Sequence, residues 1–201
     1  MQKVLVYMTK CLNFYFDFIS PYSFLAYKRL NVLNKENKIN IEYKPMLLGG
    51  LHNLGGITPP AFNERKLKNM KNDCELIASK NNIDFKWNIK FPINSLYLMR
   101  GYIVIDDSHK KKFFDICFDA YWKDNLDISD EKNIEIILNK AGLDKKEFLN
   151  NIQDNSVKDM LKNLTNEAFE KDVFGAPTFI VNDKIFWGQD RLDYALEEYN
   201  S

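Results

Sequence analysis

The chain is poor in the residues that carry most redox and metal chemistry. Only three of its 201 residues are cysteine (Cys11, Cys74 and Cys117), widely spaced and without a Cys-x-x-Cys pair. That excludes a disulfide framework, a zinc-ligand spacing and a dithiol redox centre, and leaves each cysteine as an expected buried free thiol in a reducing compartment. His52 and His109 are the only two histidines, too few for a histidine metal cluster, so no metal is expected. A Ser-His-Asp triad is disfavoured on the same ground. Neither sign of charge is in excess: Lys plus Arg and Asp plus Glu both total 28. A nucleic-acid partner, which would call for a basic footprint, is therefore not expected. No apolar run approaches the ~20 residues that cross a bilayer, so no membrane partner is expected either. The start, Met1 to Met8, is a short apolar run broken by Thr9 and Lys10. It lacks the cleavage site of a secretory signal, and a cytoplasmic location is expected.

What is present is ordinary for a globular domain: 45% hydrophobic and 28% charged residues. The length fits one domain, or one domain carrying a large insertion. Four blocks follow one another. A hydrophobic strand over Leu12–Phe18 stops at Ser20-Pro21, and a helical pattern runs on through Phe24 to Asn37. Ser20 has the chemistry of an N-cap and Pro21 that of a first helical residue. An alternating strand, Ile39–Lys44, completes a βαβ unit, which implies parallel strands. The second block, Leu47–Pro60, holds four of the eight glycines and reads as a long loop. The third, from about Asn63 to Lys171, reads as helices broken at aspartates, with Asp144 as an N-cap. The fourth is a hairpin, Thr178–Val181 and Lys184–Trp187 about Asn182-Asp183, followed by a helix over Arg191–Tyr199.

Three constellations carry chemistry. Ser20 sits at a helix N-terminus, where unpaired N–H groups and the macrodipole favour negative charge. Spacing alone leaves it as either a structural cap or a hydroxyl that donates to a bound thiolate or oxyanion. No base lies nearby in sequence, so it does not read as a nucleophile. Ser23, one turn on, reads as a helix serine bonded to solvent or backbone. In Phe174-Gly175-Ala176-Pro177-Thr178, a proline opening a strand fits either a cis peptide or a plain trans start. Asp190, at the start of the last helix, is either a cap or a receptor for a ligand ammonium group. Lys66 and neighbouring Arg65 are helix-face charges that matter only if their helix leans over Ser20.

Taken together, several segments resemble one family. Phe16-Asp17-Phe18-Ile19-Ser20-Pro21-Tyr22-Ser23-Phe24-Leu25-Ala26, Leu48-Gly49-Gly50, Phe91-Pro92-Ile93-Asn94-Ser95, Phe174 through Phe179 and Phe186 through Leu192 resemble the 2-hydroxychromene-2-carboxylate isomerases. These belong with the kappa-class glutathione transferases in the DsbA-like branch of the thioredoxin superfamily. The resemblance implies an α/β fold: a thioredoxin-like βαβ…ββα core over residues 12–60 and 172–201, with a helical insertion over 61–171. It implies a homodimer, glutathione as cofactor and a small aromatic substrate, isomerised by reversible thiolate addition. On this resemblance Ser20 faces the glutathione sulfur, Pro177 is cis, and Ala176 pairs with the cysteinyl unit. Gln189 and Asp190 meet the γ-glutamyl end, Lys66 lies near the tripeptide, and Asp73 approaches from the partner subunit. Tyr22, Ser23, Asn94 and Trp187 are then the expected substrate pocket. The chain departs from the family's usual pattern at Ile57, where asparagine is frequent, and at His52-Asn53.

Overall fold

The computed structural model describes residues 10–36 and 38–201. The expected features of the first nine residues, and the expected helix end at Asn37, therefore lie outside the described residues. Four strands form one sheet: β1 (Leu12–Phe16), β2 (Ile41–Pro45), β3 (Thr178–Val181) and β4 (Lys184–Trp187), in the order β2-β1-β3-β4. β1 pairs parallel with β2 and antiparallel with β3, and β3 pairs antiparallel with β4. The β3–β4 turn uses Asn182 and Asp183 at φ 48° and 61°, as a two-residue hairpin requires.

β1 is central, and its period-two alternation serves two cores. Leu12, Phe14 and Phe16 point into the larger one, while Tyr15 joins Met46, Leu51, Ala168 and Val173 in a smaller one. Helix α1 (Pro21–Leu33) lies against the larger core through Phe24, Leu25 and Tyr27. It ends four residues earlier than the sequence pattern implies. The Asn34 side chain ends it locally by closing a loop onto the N–H and C=O of Ile39.

Between β2 and β3 come α2 (Leu48–Leu54), α3 (Glu64–Lys80), α4 (Leu96–Val104), α5 (Asp107–Trp122), α6 (Glu131–Ala141), α7 (Lys145–Gln153) and α8 (Asn155–Glu170); α9 (Leu192–Asn200) follows β4. Asp106, Asp130, Asp144 and Asp154 cap α5 to α8 through side-chain bonds to first-turn N–H groups. The inserted helices share their core with the sheet. Phe114 and Phe118 of α5 meet Phe16 and Phe18 edge-on, with ring centroids 4.6 Å (Phe16–Phe114) and 5.0 Å (Phe18–Phe118) apart. No helix among the described residues is long and apolar enough to cross a membrane.

Two sequence expectations need correcting here. The stretch Leu47–Pro60 is not a structureless loop: it holds α2, and a short 3-10 turn covers Pro60–Phe62. Gly49 and Gly50 lower its helix propensity, but tertiary bonds hold both its entry and its side. Leu47 N–H donates to Thr165 Oγ1 at 3.0 Å, and Leu48 N–H to Asp17 at 2.8 Å. Cys74 and Cys117 are buried thiols as expected, but Cys11 is only half-buried.

Candidate active site

β1 ends at Phe16 because Asp17 turns the chain. Its carboxylate accepts the Ile19 N–H at 3.1 Å and its carbonyl accepts the Ser20 N–H at 3.0 Å. Ser20 then caps α1 with extended backbone, its Oγ accepting from Ser23 N–H at 3.1 Å. The same hydroxyl donates to the Ala176 carbonyl at 2.9 Å. Cap and candidate site are thus the same buried atom. Ser23 corrects the sequence reading: it is fully buried, and its Oγ has no hydrogen-bond partner among the described residues.

The opposite side of this contact is the segment before β3. The Ala176–Pro177 peptide is cis, as is Phe91–Pro92, for which the sequence carried no expectation. Pro177 carbonyl accepts the Gly188 N–H at 2.9 Å, tying the end of β4 to the site. Gly188 is at φ +110°, a backbone conformation that favours glycine, and a Cβ there would also displace the Asp190 carboxylate, 2.5 Å away. Asp190 is not a helix cap: it sits in a 3-10 turn over Gln189–Arg191, and α9 begins at Leu192 without a side-chain cap. Gln189 is held by its carbonyl, which accepts from Arg29 Nη1 at 3.0 Å. Trp187 is half exposed and packs on Phe174 with ring centroids 4.7 Å apart.

Helix α3 supplies a second wall. A cleft of about 410 Å³ is lined by Tyr22, Pro60, Arg65, Lys66, Asn69 and Met70. The Tyr22 hydroxyl donates to Asp73 Oδ2 at 2.8 Å. Burial, then that hydrogen bond, then the nearby Cys74, Asp73 and Asp190 hold its phenol well above the ordinary range, so it stays a donor. Asp190 and Asp73 therefore both act on one hydroxyl, although they lie far apart in sequence. Arg65 and Lys66 have no carboxylate partner within salt-bridge distance among the described residues. The cleft thus carries two cationic side chains, and one of its lining residues, Tyr22, is bonded to an aspartate.

Asn94 is exposed, and its Oδ1 accepts from Leu96 N–H at 2.8 Å at the entry to α4. Its neighbour Ser95 is buried and lies beside the Asp17 carboxyl, whose ionised form it favours. Sequence reasoning missed Asp17, Ser95 and Trp122, whose Nε1 donates to the Phe18 carbonyl at 2.8 Å. An acid placed inside an aromatic strand was the one available signal.

The fold defines a thioredoxin-fold protein of the DsbA-like class, with Ser20 at the N-terminus of α1. The chain belongs to the DSBA-like thioredoxin domain family, whose model matches residues 11–200. It is 30% identical to a 2-hydroxychromene-2-carboxylate isomerase of Sphingobium xenophagum, over 96% of this chain and 98% of that protein. With human glutathione S-transferase kappa 1 it shares 24% identity, over 92% of this chain and 89% of the other. A solved 2-hydroxychromene-2-carboxylate isomerase superposes with a TM-score of 0.86 at 26% identity, covering 94% of each chain. A probable DsbA oxidoreductase of Streptomyces coelicolor shares the fold, with a TM-score of 0.75 at 12% identity over 96% of this chain and 91% of its own.

Proposed function

We propose that this protein is a glutathione-dependent isomerase of the 2-hydroxychromene-2-carboxylate type, acting on a small aromatic hydroxy-acid. The observation that carries the reading is the Ser20 hydroxyl, fixed at the N-terminus of α1 and 2.9 Å from the Ala176 carbonyl. The names of the relatives support the same reading. The residues present fit glutathione. Its two carboxylates match a cleft lined by Arg65 and Lys66, and its ammonium group matches the exposed carboxylate of Asp190. When bound, glutathione supplies a thiol that adds reversibly to a conjugated carbon and so permits rotation about the former double bond.

The chain's own residues prepare that step. The α1 N-terminus and a hydroxyl donor favour the thiolate over the thiol at neutral pH. Ser20 has one O–H, now spent on the Ala176 carbonyl. A cysteinyl N–H that takes this carbonyl releases the Ser20 O–H to turn toward sulfur, while Oγ keeps accepting from Ser23 N–H. Gln189 and Asp190 meet the γ-glutamyl end, and Lys66 a carboxylate of the tripeptide. Asp73, whose Oδ2 accepts from Tyr22 within its own chain, approaches the glutathione of the partner subunit. Tyr22, Asn94 and Trp187 form the substrate side, with Ser23 buried behind them. A homodimer and a cytoplasmic location belong to the same reading and rest on the resemblance alone.

The test is glutathione-dependent isomerisation of a hydroxychromene carboxylate by the purified protein, with calorimetry for glutathione itself. No binding at millimolar glutathione would sink the proposal. The relation to kappa-class transferases supports a second reading, conjugation of electrophiles. Turnover of chlorodinitrobenzene without isomerase activity would favour it.

A further inference from the structure

The most demanding polar group outside the roles assigned above is Asp17. It is fully buried, and no cation among the described residues pairs with it. Burying a carboxyl without a counter-charge is costly unless its lone pairs are used. Here they are used by two separate parts of the chain. Oδ1 accepts the Ile19 N–H at 3.1 Å, inside the turn that carries Ser20. Oδ2 accepts the Leu48 N–H at 2.8 Å, the first residue of α2, whose own N-cap Leu47 offers no side-chain bond. The Ser95 hydroxyl, at the entry to α4, lies beside the same carboxyl and favours its ionised form. An apolar residue of similar size would leave two buried N–H groups without a partner.

We propose that Asp17 is a positioning residue for Ser20: its buried carboxyl ties the Ser20 turn to the start of α2, and so holds the hydroxyl against Ala176. The proposal rests on Ser20 being the working hydroxyl. It assigns the glycine-rich α2 a function as well, since one carboxyl oxygen anchors α2 and the other sets the Ser20 turn.

Asp17→Asn tests it, because the amide offers one acceptor where the carboxylate offers two. Either Ile19 N–H or Leu48 N–H must then face a second donor. The expected result is a folded protein whose kcat falls about ten- to a hundredfold, as displacement of a reacting group costs, with KM for glutathione nearly unchanged. Added to Ser20→Ala, the substitution should cost little more, since both act through one hydroxyl. Amide exchange should quicken at Ser20 and Leu48 but not along β3. A folded Asp17→Asn with wild-type kcat, or a loss as large in the Ser20→Ala background as in wild type, overturns the proposal. If Asp17→Asn does not fold, Leu48→Pro, at a first helical position that tolerates proline, removes one donor and leaves the carboxylate. A severalfold loss of kcat that vanishes in the Ser20→Ala background supports the proposal, and wild-type kcat overturns it. If the wild-type protein shows no glutathione-dependent turnover, the functional reading falls separately. Amide exchange in Asp17→Asn, or Leu48→Pro in its place, then decides: faster exchange at Ser20 supports the clamp, and unchanged exchange overturns it.

Discussion

The two walls of the cleft differ in how much is settled before any ligand arrives. On the sheet side Ser20, Ala176, Pro177 and Gly188 are joined by hydrogen bonds of 2.9 Å, and Ser20 and Pro177 are buried. On the α3 side Arg65, Lys66 and Asn69 are exposed, with long side chains whose freedom is largely unspent. A group that must meet a reacting atom gains from being placed in advance. A charge that recognises a ligand carboxylate can be ordered when the ligand comes. Substitutions on the sheet side should therefore register in kcat, and those on the α3 side in KM.

The sharpest separation should come from Ser20→Ala. Loss of a donor to a developing anion typically costs about 100- to 1000-fold in kcat, and that loss is expected here with the fold retained, less about 1 kcal/mol for the missing cap. Steady-state kinetics with a melting curve checks both parts, and a wild-type rate would remove Ser20 from the chemistry. Lys66→Ala should act oppositely, raising KM for glutathione severalfold with kcat intact. The effect should shrink as salt is added, because the contact is solvent-exposed.

Gly175→Ala probes the boundary between the walls. Its Cβ would lie 2.5 Å from Trp187 Nε1, so the half-exposed indole must shift, and with it the packing on Phe174. A small change in stability is expected, together with a raised KM for the aromatic substrate but not for glutathione. Equal effects on both would show that Trp187 does not divide the two subsites.

The smallest expected effect is a pH dependence of stability. Burial raises the Asp17 carboxyl above its ordinary 3.8, more than nearby Ser95 and the bonds from Leu48 and Ile19 lower it. The folded state then binds the proton more tightly than the unfolded state. The stability Asp17 contributes is present below that ordinary value and is lost as pH rises through the raised one. Unfolding free energies of wild type minus Asp17→Asn, followed by denaturant titration, should therefore fall across that window. A rise would mean that these polar neighbours outweigh desolvation.

The sequence displayed much of the sheet-side wall because its signals are local. Ser20-Pro21 marks a strand-to-helix junction by itself, Asn182-Asp183 marks the hairpin, and aspartates mark the starts of α5 to α8. Features held from a distance were hidden. Helix α2 forms through Asp17 and Thr165, which its own glycines do not reveal. Asp17 looked like one more strand position, and Ser23 like a helix serine bonded to solvent or backbone. Asp17 bonds to Leu48, 31 positions away, and Ser23 is buried by elements whose packing no local pattern carries. The pairing of Tyr22 with Asp73, 51 positions apart, is of the same kind.

The central claim, that the Ser20 hydroxyl receives a sulfur brought by a ligand, is tested most directly by a crystal structure of the protein with glutathione. The expected result places the sulfur within hydrogen-bond reach of Ser20 Oγ, the cysteinyl N–H on the Ala176 carbonyl, and the Ser20–Ala176 bond broken. A tripeptide bound with its sulfur away from Ser20, or with that bond still intact, would contradict it.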